Sequence, residues 1–474
     1  MDARDLAFAG AARQAQLVRA GEVTPTELVE LYLERIERID PELNAFRVLM
    51  ADSARSGAAE AERRLAAGEE APLLGVPIAI KDGTEVAGEI TAHGTRCFDH
   101  PDDADSDLVR RLRSAGAIPI GKTNLSSLAI NGFTETDAWG ITRNPWDTGR
   151  TPAGSSGGSG AAVAAGLAPL AHGSDGAGSI RWPSANCGLF GLKPERNRVT
   201  MEGEHYTTET GHWHGLSVNG CLTRSVADTA LFLDAVTAGP PPPGSPPAPE
   251  RSFSEYAATR PESLRVAVSL KPPRAILPPL VSDEGVAAVE TAERALRSVG
   301  HTVERKEPDF GLVGNRYAAL YLNGIFKDIE ATPNPERLDS RTRGYRRLGR
   351  LVGDRGVRGA LGARERFSER INRIFEDHDL LLTLGSGVPP FEVGRFAGKG
   401  AMRTMLGESR VYAYAIVWNY TGHPAAMVPA MLTDDGLPVA AQLVARHNDE
   451  GTLLSVAAQL EAELGWLDRR PPIS

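Results

Sequence analysis

Three stretches of the sequence bring together residue types that can do acyl chemistry. Lys81 ends the apolar run Leu74-Gly-Val-Pro-Ile-Ala-Ile-Lys81. A tract of small residues, Gly154-Ser155-Ser156-Gly157-Gly158-Ser159-Gly160, follows it. Ser174-Asp175-Gly176-Ala177-Gly178-Ser179-Ile180-Arg181 completes the set. A serine hydroxyl becomes a nucleophile when a neighbour takes its proton. A lysine can take that proton only as the neutral amine, and burial favours the neutral form. The end of an apolar strand is a place where that happens. Gly176-Ala177-Gly178 puts small residues in succession before Ser179. Their backbone N–H groups can turn toward one point and hold an oxyanion. Asp175 and Arg181 flank this turn and are expected to lock it as an ion pair.

Each stretch alone also has a plainer reading. A lysine after a strand is usually a solvated charge, and a Gly/Ser tract is usually a loop. Gly154-Ser155-Ser156-Gly157-Gly158 fits the G-x-S-x-G nucleophile elbow, but that motif needs a strand directly before it. Asn144-Pro-Trp-Asp-Thr-Gly-Arg-Thr-Pro152 stands there instead. A phosphate loop is excluded because no Gly-Lys-Ser/Thr follows the glycines. His205, His212 and His214 lie close together, but no ordered acidic or Cys ligand completes a metal site around them. Lining of a substrate channel is their other reading. Tyr412, Tyr414 and Trp418 recur at roughly helical spacing, which reads as core packing or as the wall of an apolar pocket.

The elements that must position these groups alternate. Thr24-Pro25-Thr26-Glu27 starts a helix: a Thr cap, Pro at the first position, and Glu three residues after the cap. Pro41 marks its exit, and a second helix fits 51–67. Val76, Ile78 and Ile80 alternate in a strand ending at Lys81. A helix over 108–115, a strand over 117–120 and a small-residue helix over 161–167 follow. Strands are expected at 264–268, 380–384 and 439–444, and helices at 283–299 and 450–464. Residues 330–365, rich in Arg and Gly, resist assignment. Alternation of this kind predicts an α/β layer structure. The expectation is one large domain over 1–474, a mixed β-sheet with helices on both sides. Within it, 1–70 are helices packed outside, 71–238 hold the three stretches, 239–251 form a Pro-rich surface loop, and 252–474 form the C-terminal part.

Composition narrows the function. The 474 residues carry a net charge of −9, and no basic run stands out, which argues against a nucleic-acid binder. Cys97, Cys187 and Cys221 are too few and too scattered for a disulfide framework and suit a reducing compartment. The start, MDARDLAFAG, does not read as a signal peptide, and no apolar run is long enough to span a bilayer. A cytoplasmic protein without membrane contact is expected.

Thr151 to Pro194, together with Gly75-Val-Pro-Ile-Ala-Ile-Lys-Asp82, resembles the amidase signature family. Gly121-Lys-Thr-Asn124, Thr142-Arg-Asn-Pro-Trp146, Asn419-Tyr-Thr-Gly-His-Pro424 and 435–444 resemble further stretches of it, in the right order. The resemblance runs from about residue 24 to 464. It implies a Ser–Ser–Lys triad: Ser179 as nucleophile, Ser155 as the bridging serine on a cis peptide, and Lys81 as base. It implies an oxyanion hole from the amides of Gly176, Ala177, Gly178 and Ser179, with Asp175 and Arg181 in support. Ser156 is then structural, and Lys122 matches a non-catalytic position. Two positions depart from the family pattern: Ala177 stands in a usual Gly-Gly pair, and Gly83 stands for a common Asn. Asp175-Gly176 is similar to the family's cyclic-dimer amide hydrolases rather than its tRNA-linked amidotransferase subunits; aryl acylamidases and urethanase-like enzymes are the other similar types.

The implied reaction is hydrolysis of a small-molecule amide, ester or carbamate through an acyl-enzyme, with no cofactor and no metal. An apolar or aryl substrate is expected. Residues 309–410 hold Tyr317, Tyr321, Phe326, Tyr345, Phe367, Phe391 and Phe396 among many arginines, and match no named motif. Rings and arginines of this kind can wall a channel or simply pack helices. The rivals are a glutamine-hydrolysing amidotransferase subunit and a catalytically silent scaffold. Oligomeric state is left open, a homodimer included.

Overall fold

Short apolar runs bounded by Gly and Pro become strands, and the longer periodic runs become helices. The computed structural model describes residues 1–207, 211–242, 244–273 and 277–474. The strands are β1 (Phe46–Leu49), β2 (Pro77–Lys81), β3 (Ile118–Thr123), β4 (Glu135–Thr136), β5 (Gly140–Ile141), β6 (Leu170–Asp175) and β7 (Phe190–Lys193). They continue as β8 (Val218–Thr223), β9 (Arg265–Ser269), β10 (Thr302–Arg305), β11 (Leu380–Leu384), β12 (Ala425–Leu432) and β13 (Pro438–Ala445). Eleven form one sheet in the order β1-β3-β2-β6-β8-β7-β12-β13-β11-β9-β10, and β4 with β5 forms a small ribbon apart. β2 runs parallel to β3 and β6, and β9 parallel to β10 and β11. The remaining pairings are antiparallel, so the sheet is mixed.

Alternate side chains along a strand go to opposite faces, and both faces are covered. Leu380, Leu382 and Leu384 enter one core while Leu381 enters another. Ile78 and Ile80 likewise part from Ala79. The strands therefore read as continuous apolar runs rather than as half-wet ribbons. Lys81 falls on the Ala79 side of β2, and every residue of that strand is buried.

Three expectations shift. The Thr24–Glu27 capping box forms, but the helix Pro25–Leu43 runs through Pro41. A proline in the last turn removes one N–H, and the end is secured otherwise. Asn44 adopts φ +52°, and the Asp40 carboxylate accepts the Ala45 N–H at 2.7 Å. The small-residue helix begins at Gly157, four residues before the expected start. Tight packing selects those glycines: a Cβ on Gly158 would lie 2.4 Å from Ala45 O and 2.5 Å from Asn124 N. Residues 330–365 are largely helical, within Val313–Ala331, Ser340–Arg350 and Asp354–Leu361. Their buried faces are short and mixed, Thr342, Tyr345 and Gly349 in one and Val357 and Ala360 in the next, so few large apolar residues mark them, and Gly349 lies against Leu322 O. Between Thr237 and Phe253, the Pro-rich stretch forms no helix or strand among the described residues, and Pro243 lies outside them. No helix of the described residues is long and apolar enough to cross a membrane.

Gly158→Ala tests the close approach that seats the serine tract on the sheet. It is expected to cost about 1–3 kcal/mol, the usual penalty for forcing a methyl into packed space, measured by urea unfolding. Unchanged stability would mean the 124 loop yields freely.

Candidate active site

β2 and β6 lie side by side and end together, which brings Lys81 against Ser174-Asp175. Ser155 reaches the same point from the turn before the helix Gly157–Ala164, on a cis peptide from Gly154. Lys81 Nζ is 2.8 Å from Ser155 Oγ and 2.9 Å from Ser174 Oγ, and it donates to Ser174 O at 3.4 Å. Lys81 and Ser155 are each 1% exposed. Burial brings the Lys81 ammonium down to about 7, against the upward pull of the Asp175 and Glu204 charges. A neutral amine has two N–H donors and one lone pair, so it can satisfy Ser174 and still accept the Ser155 proton. Ser174 was not singled out from sequence; only its place opposite Lys81 reveals it. Ser156 donates to the same carbonyl as Lys81, Ser174 O, at 3.3 Å.

Two other lysines are buried in the same sheet. Lys122 on β3 is lowered by burial, but it bonds Thr91 and lies 3.4 Å from the Asp82 carboxylate. Lys193 is also brought to about 7 by burial, and it spends its protons on the carbonyls of Pro194 and Gly422. Neither contacts a serine hydroxyl. A depressed lysine is thus not enough; Lys81 alone of the three is bonded to a serine.

Asp175 and Arg181 form the expected pair, at 2.9 Å between Nε and Oδ2 and 3.0 Å between Nη2 and Oδ1, with both side chains fully buried. Burial by itself would raise the Asp175 carboxyl, but Arg181 and Asn419 hold it at about 2. The pair shapes the turn and decides which amides are free. Gly178 N donates to Asp175 Oδ1 at 2.6 Å, so this member of the expected oxyanion set is already engaged. The carboxylate bends the chain back on itself and takes that N–H. The amides of Gly176, Ala177 and Ser179 have no acceptor among the described residues. Gly178 sits at φ +122°, where a Cβ would lie 2.3 Å from the Trp182 ring, so glycine is required there. The Ser179 hydroxyl makes no hydrogen bond, to Ser155 or to any other described residue. Asn419, noted in sequence only as part of a motif, donates to both Asp175 O and Oδ1 at 2.8 Å.

A cavity of about 150 Å³ opens at Ala177, walled by Ile130, Trp182, Tyr317, Tyr321, Met405 and Tyr412, among others. Of the seven rings in 309–410, Tyr317 and Tyr321 line it. Phe391 and Phe396 pack beside it with Phe133 and Tyr412, Tyr345 and Phe367 pack among the outer helices, and Phe326 lies against Gly349. No arginine lines it among the described residues; its one carboxyl is Glu408, raised to about 7 by burial. Tyr412 is a wall residue, whereas Tyr414 and Trp418 are core. The three histidines diverge and line no part of this cavity. His205 pairs with Glu85 and lies 3.2 Å from His93, His212 meets Asp328 at 2.9 Å, and His214 meets Asn323 at 2.9 Å. Glu85, His93 and His205 have ligand-type atoms within 4.8 Å of one another. Glu85 and His93 are remote in sequence, so spacing gave no sign of them.

Arg181→Leu would leave the Asp175 carboxylate buried without its partner. A loss of about 3–5 kcal/mol is expected, the range for breaking a buried pair from one side, read by urea unfolding. A near-neutral result would show that Asn419 and the amides suffice.

The chain matches the amidase family over residues 27–454. It is 48% identical over 475 residues to AmiB2 of Mycobacterium tuberculosis, covering all of both chains. It is 35% identical to a 6-aminohexanoate-cyclic-dimer hydrolase of Pseudomonas sp. strain NK87, covering 98% of this chain and 96% of that one. A solved 6-aminohexanoate cyclic dimer hydrolase superposes with a TM-score of 0.91 at 31% identity, covering 98% and 99% of the two chains. A bacterial aryl acylamidase shares the fold at a TM-score of 0.84 and 23% identity, over 96% of each chain. With this fold and these matches along nearly its whole length, the chain belongs to the amidase signature family and is an amidase, a hydrolase of carbon–nitrogen amide bonds.

Proposed function

We propose that the protein cleaves an amide through an acyl-enzyme on Ser179, with Ser155 passing the proton to Lys81. The observation that carries this is the 2.8 Å contact between a buried, readily neutral Lys81 and Ser155. A rotation of the Ser179 side chain onto Ser155 closes the relay. As Ser179 attacks the carbonyl carbon, its proton moves to Ser155 and the Ser155 proton to Lys81. The carbonyl oxygen takes up negative charge and is held by the N–H groups of Gly176, Ala177 and Ser179. Collapse expels the amine, which takes the proton back through the same relay. Water then attacks the acyl-enzyme by the same path and releases the acid.

The cavity favours an apolar or aryl group. Its wall is mostly ring and aliphatic surface, and Glu408 is its only acidic or basic group among the described residues. A free glutamine carries both a carboxylate and an ammonium, which call for charged partners. Apolar amides are therefore the preferred substrates over glutamine, with esters and carbamates accepted as easier or similar acyl donors.

Ser179→Ala should abolish labelling by a fluorophosphonate and amide turnover together, with the fold retained by circular dichroism. An adduct found on Ser156 instead would overturn the assignment. Lys81 works only as the free amine, so kcat/KM for an aryl amide should climb as pH rises through about 7 and then level off. A profile flat from pH 5 to 9 would remove Lys81 from the role of base. An aryl anilide should show a higher kcat/KM than glutamine; the reverse order would favour the amidotransferase reading.

A further inference from the structure

A trans peptide is planar and carries its C=O and N–H on opposite edges. Whatever holds the carbonyl therefore aims the N–H. The three free amides at the turn belong to three such planes. The Asp175 carbonyl, behind Gly176 N–H, accepts from Asn419 Nδ2 at 2.8 Å. The Gly178 carbonyl, behind Ser179 N–H, accepts from Trp182 N at 2.7 Å. The Gly176 carbonyl, behind Ala177 N–H, accepts from the hydroxyl of Tyr317 at 3.1 Å. The first two clamps come from family motifs. Tyr317 comes from the helix Val313–Ala331, in the segment that matches no motif.

Tyr317 is 5% exposed and stacks on Tyr321 with ring centroids 5.5 Å apart. The Tyr321 hydroxyl in turn donates to Ile130 O at 2.5 Å. The Tyr317 ring is thus fixed from the side, and its hydroxyl reaches the turn from a set position. Tyr317 and Ala177 both line the apolar cavity.

We propose that Tyr317 is a positioning residue that aims the Ala177 N–H at the developing oxyanion by holding the Gly176 carbonyl. The inference rests on the acyl-enzyme reading of Ser179. Tyr317 touches no reacting atom; it acts through one peptide plane. The same ring walls the cavity, so the residue that sets this donor also faces the space beside Ala177.

Tyr317→Phe removes the hydroxyl and keeps the ring. On an acyl p-nitroanilide, kcat should fall about 10- to 100-fold, short of the roughly 10²–10³ lost when an oxyanion donor is deleted. KM should stay within about twofold, since only transition-state binding is lost. Affinity for a trifluoromethyl ketone, which forms a tetrahedral adduct on the serine, should fall in step with kcat. Affinity for the carboxylate product should not change. Tyr317→Met, which also lacks the hydroxyl, should show the same kcat and inhibitor losses if the Phe protein is unstable by thermal unfolding. A rise in KM at constant kcat would make Tyr317 a plain wall residue and overturn the proposal. So would unchanged kcat and ketone affinity. A parent protein that fluorophosphonate does not label at Ser179 would overturn the acyl-enzyme reading and this inference with it. A labelled parent beside a fully active Tyr317→Phe protein would overturn this inference alone.

Discussion

The buried pair of Asp175 and Arg181 is the contact on which the site depends. An isolated carboxylate or guanidinium in a dry interior is costly, and only full hydrogen bonding offsets that cost. Both partners obtain it. Asp175 accepts from Arg181, Asn419 and Gly178, with the amides of Ile180 and Arg181 at 3.3 and 3.4 Å. Arg181 gives its remaining N–H groups to Ala415 O, Gln442 Oε1 and Asn419 Oδ1. To make those bonds, the chain must bend between β6 and the following helix as it does. The same bend frees three amides and engages a fourth. The acceptors at 415, 419 and 442 tie the turn to the C-terminal half, so its shape is secured by residues more than two hundred positions away.

The same dry surroundings act in the opposite sense on Lys81. Asp175 stays charged because its partner is in contact, whereas Lys81 has hydroxyls and a carbonyl as neighbours and no carboxylate among its hydrogen bonds. Desolvation therefore dominates, softened by Asp175 and Glu204 at longer range, and the amine settles near neutrality. In the proposed role of base, that is the useful range, since a base works best near the working pH. Lys122 shows the alternative outcome, in which a buried lysine pairs with a carboxylate and becomes part of the scaffold.

The cavity wall and the site loops are one hydrogen-bonded piece. Tyr317, Tyr321 and Tyr412 put their rings into the cavity wall and their hydroxyls onto Gly176 O, Ile130 O and Gly132 O. A buried tyrosine needs a partner for its hydroxyl, and here the partners are the backbone of the loops beside Ser179. A change of residue in this wall can thus alter both the shape of the cavity and the set of the turn.

Much of the fold and several local features of the candidate site were legible in the sequence, because local rules decide them. The capping box at Thr24 and Glu27, the apolar strand ending at Lys81, and the charge pair bracketing 176–180 act over a few residues, and each formed. The glycine helix at 157–164 was shifted because close backbone approach carries no hydrophobic periodicity, and the helices within 340–361 were missed because short, arginine-rich turns bury few large apolar residues. Tertiary structure alone decided the rest. It set Ser174 beside Lys81, and it separated three similar buried lysines by what stood opposite each. It divided the rings of 309–410 between wall and packing, and it joined His205 to Glu85 and His93 while sending His212 and His214 elsewhere. It also gave the Gly178 amide to Asp175. These outcomes depend on distances between residues far apart in the chain. A residue's type states what it can donate or accept, and only the folded backbone determines what comes within 3 Å of it.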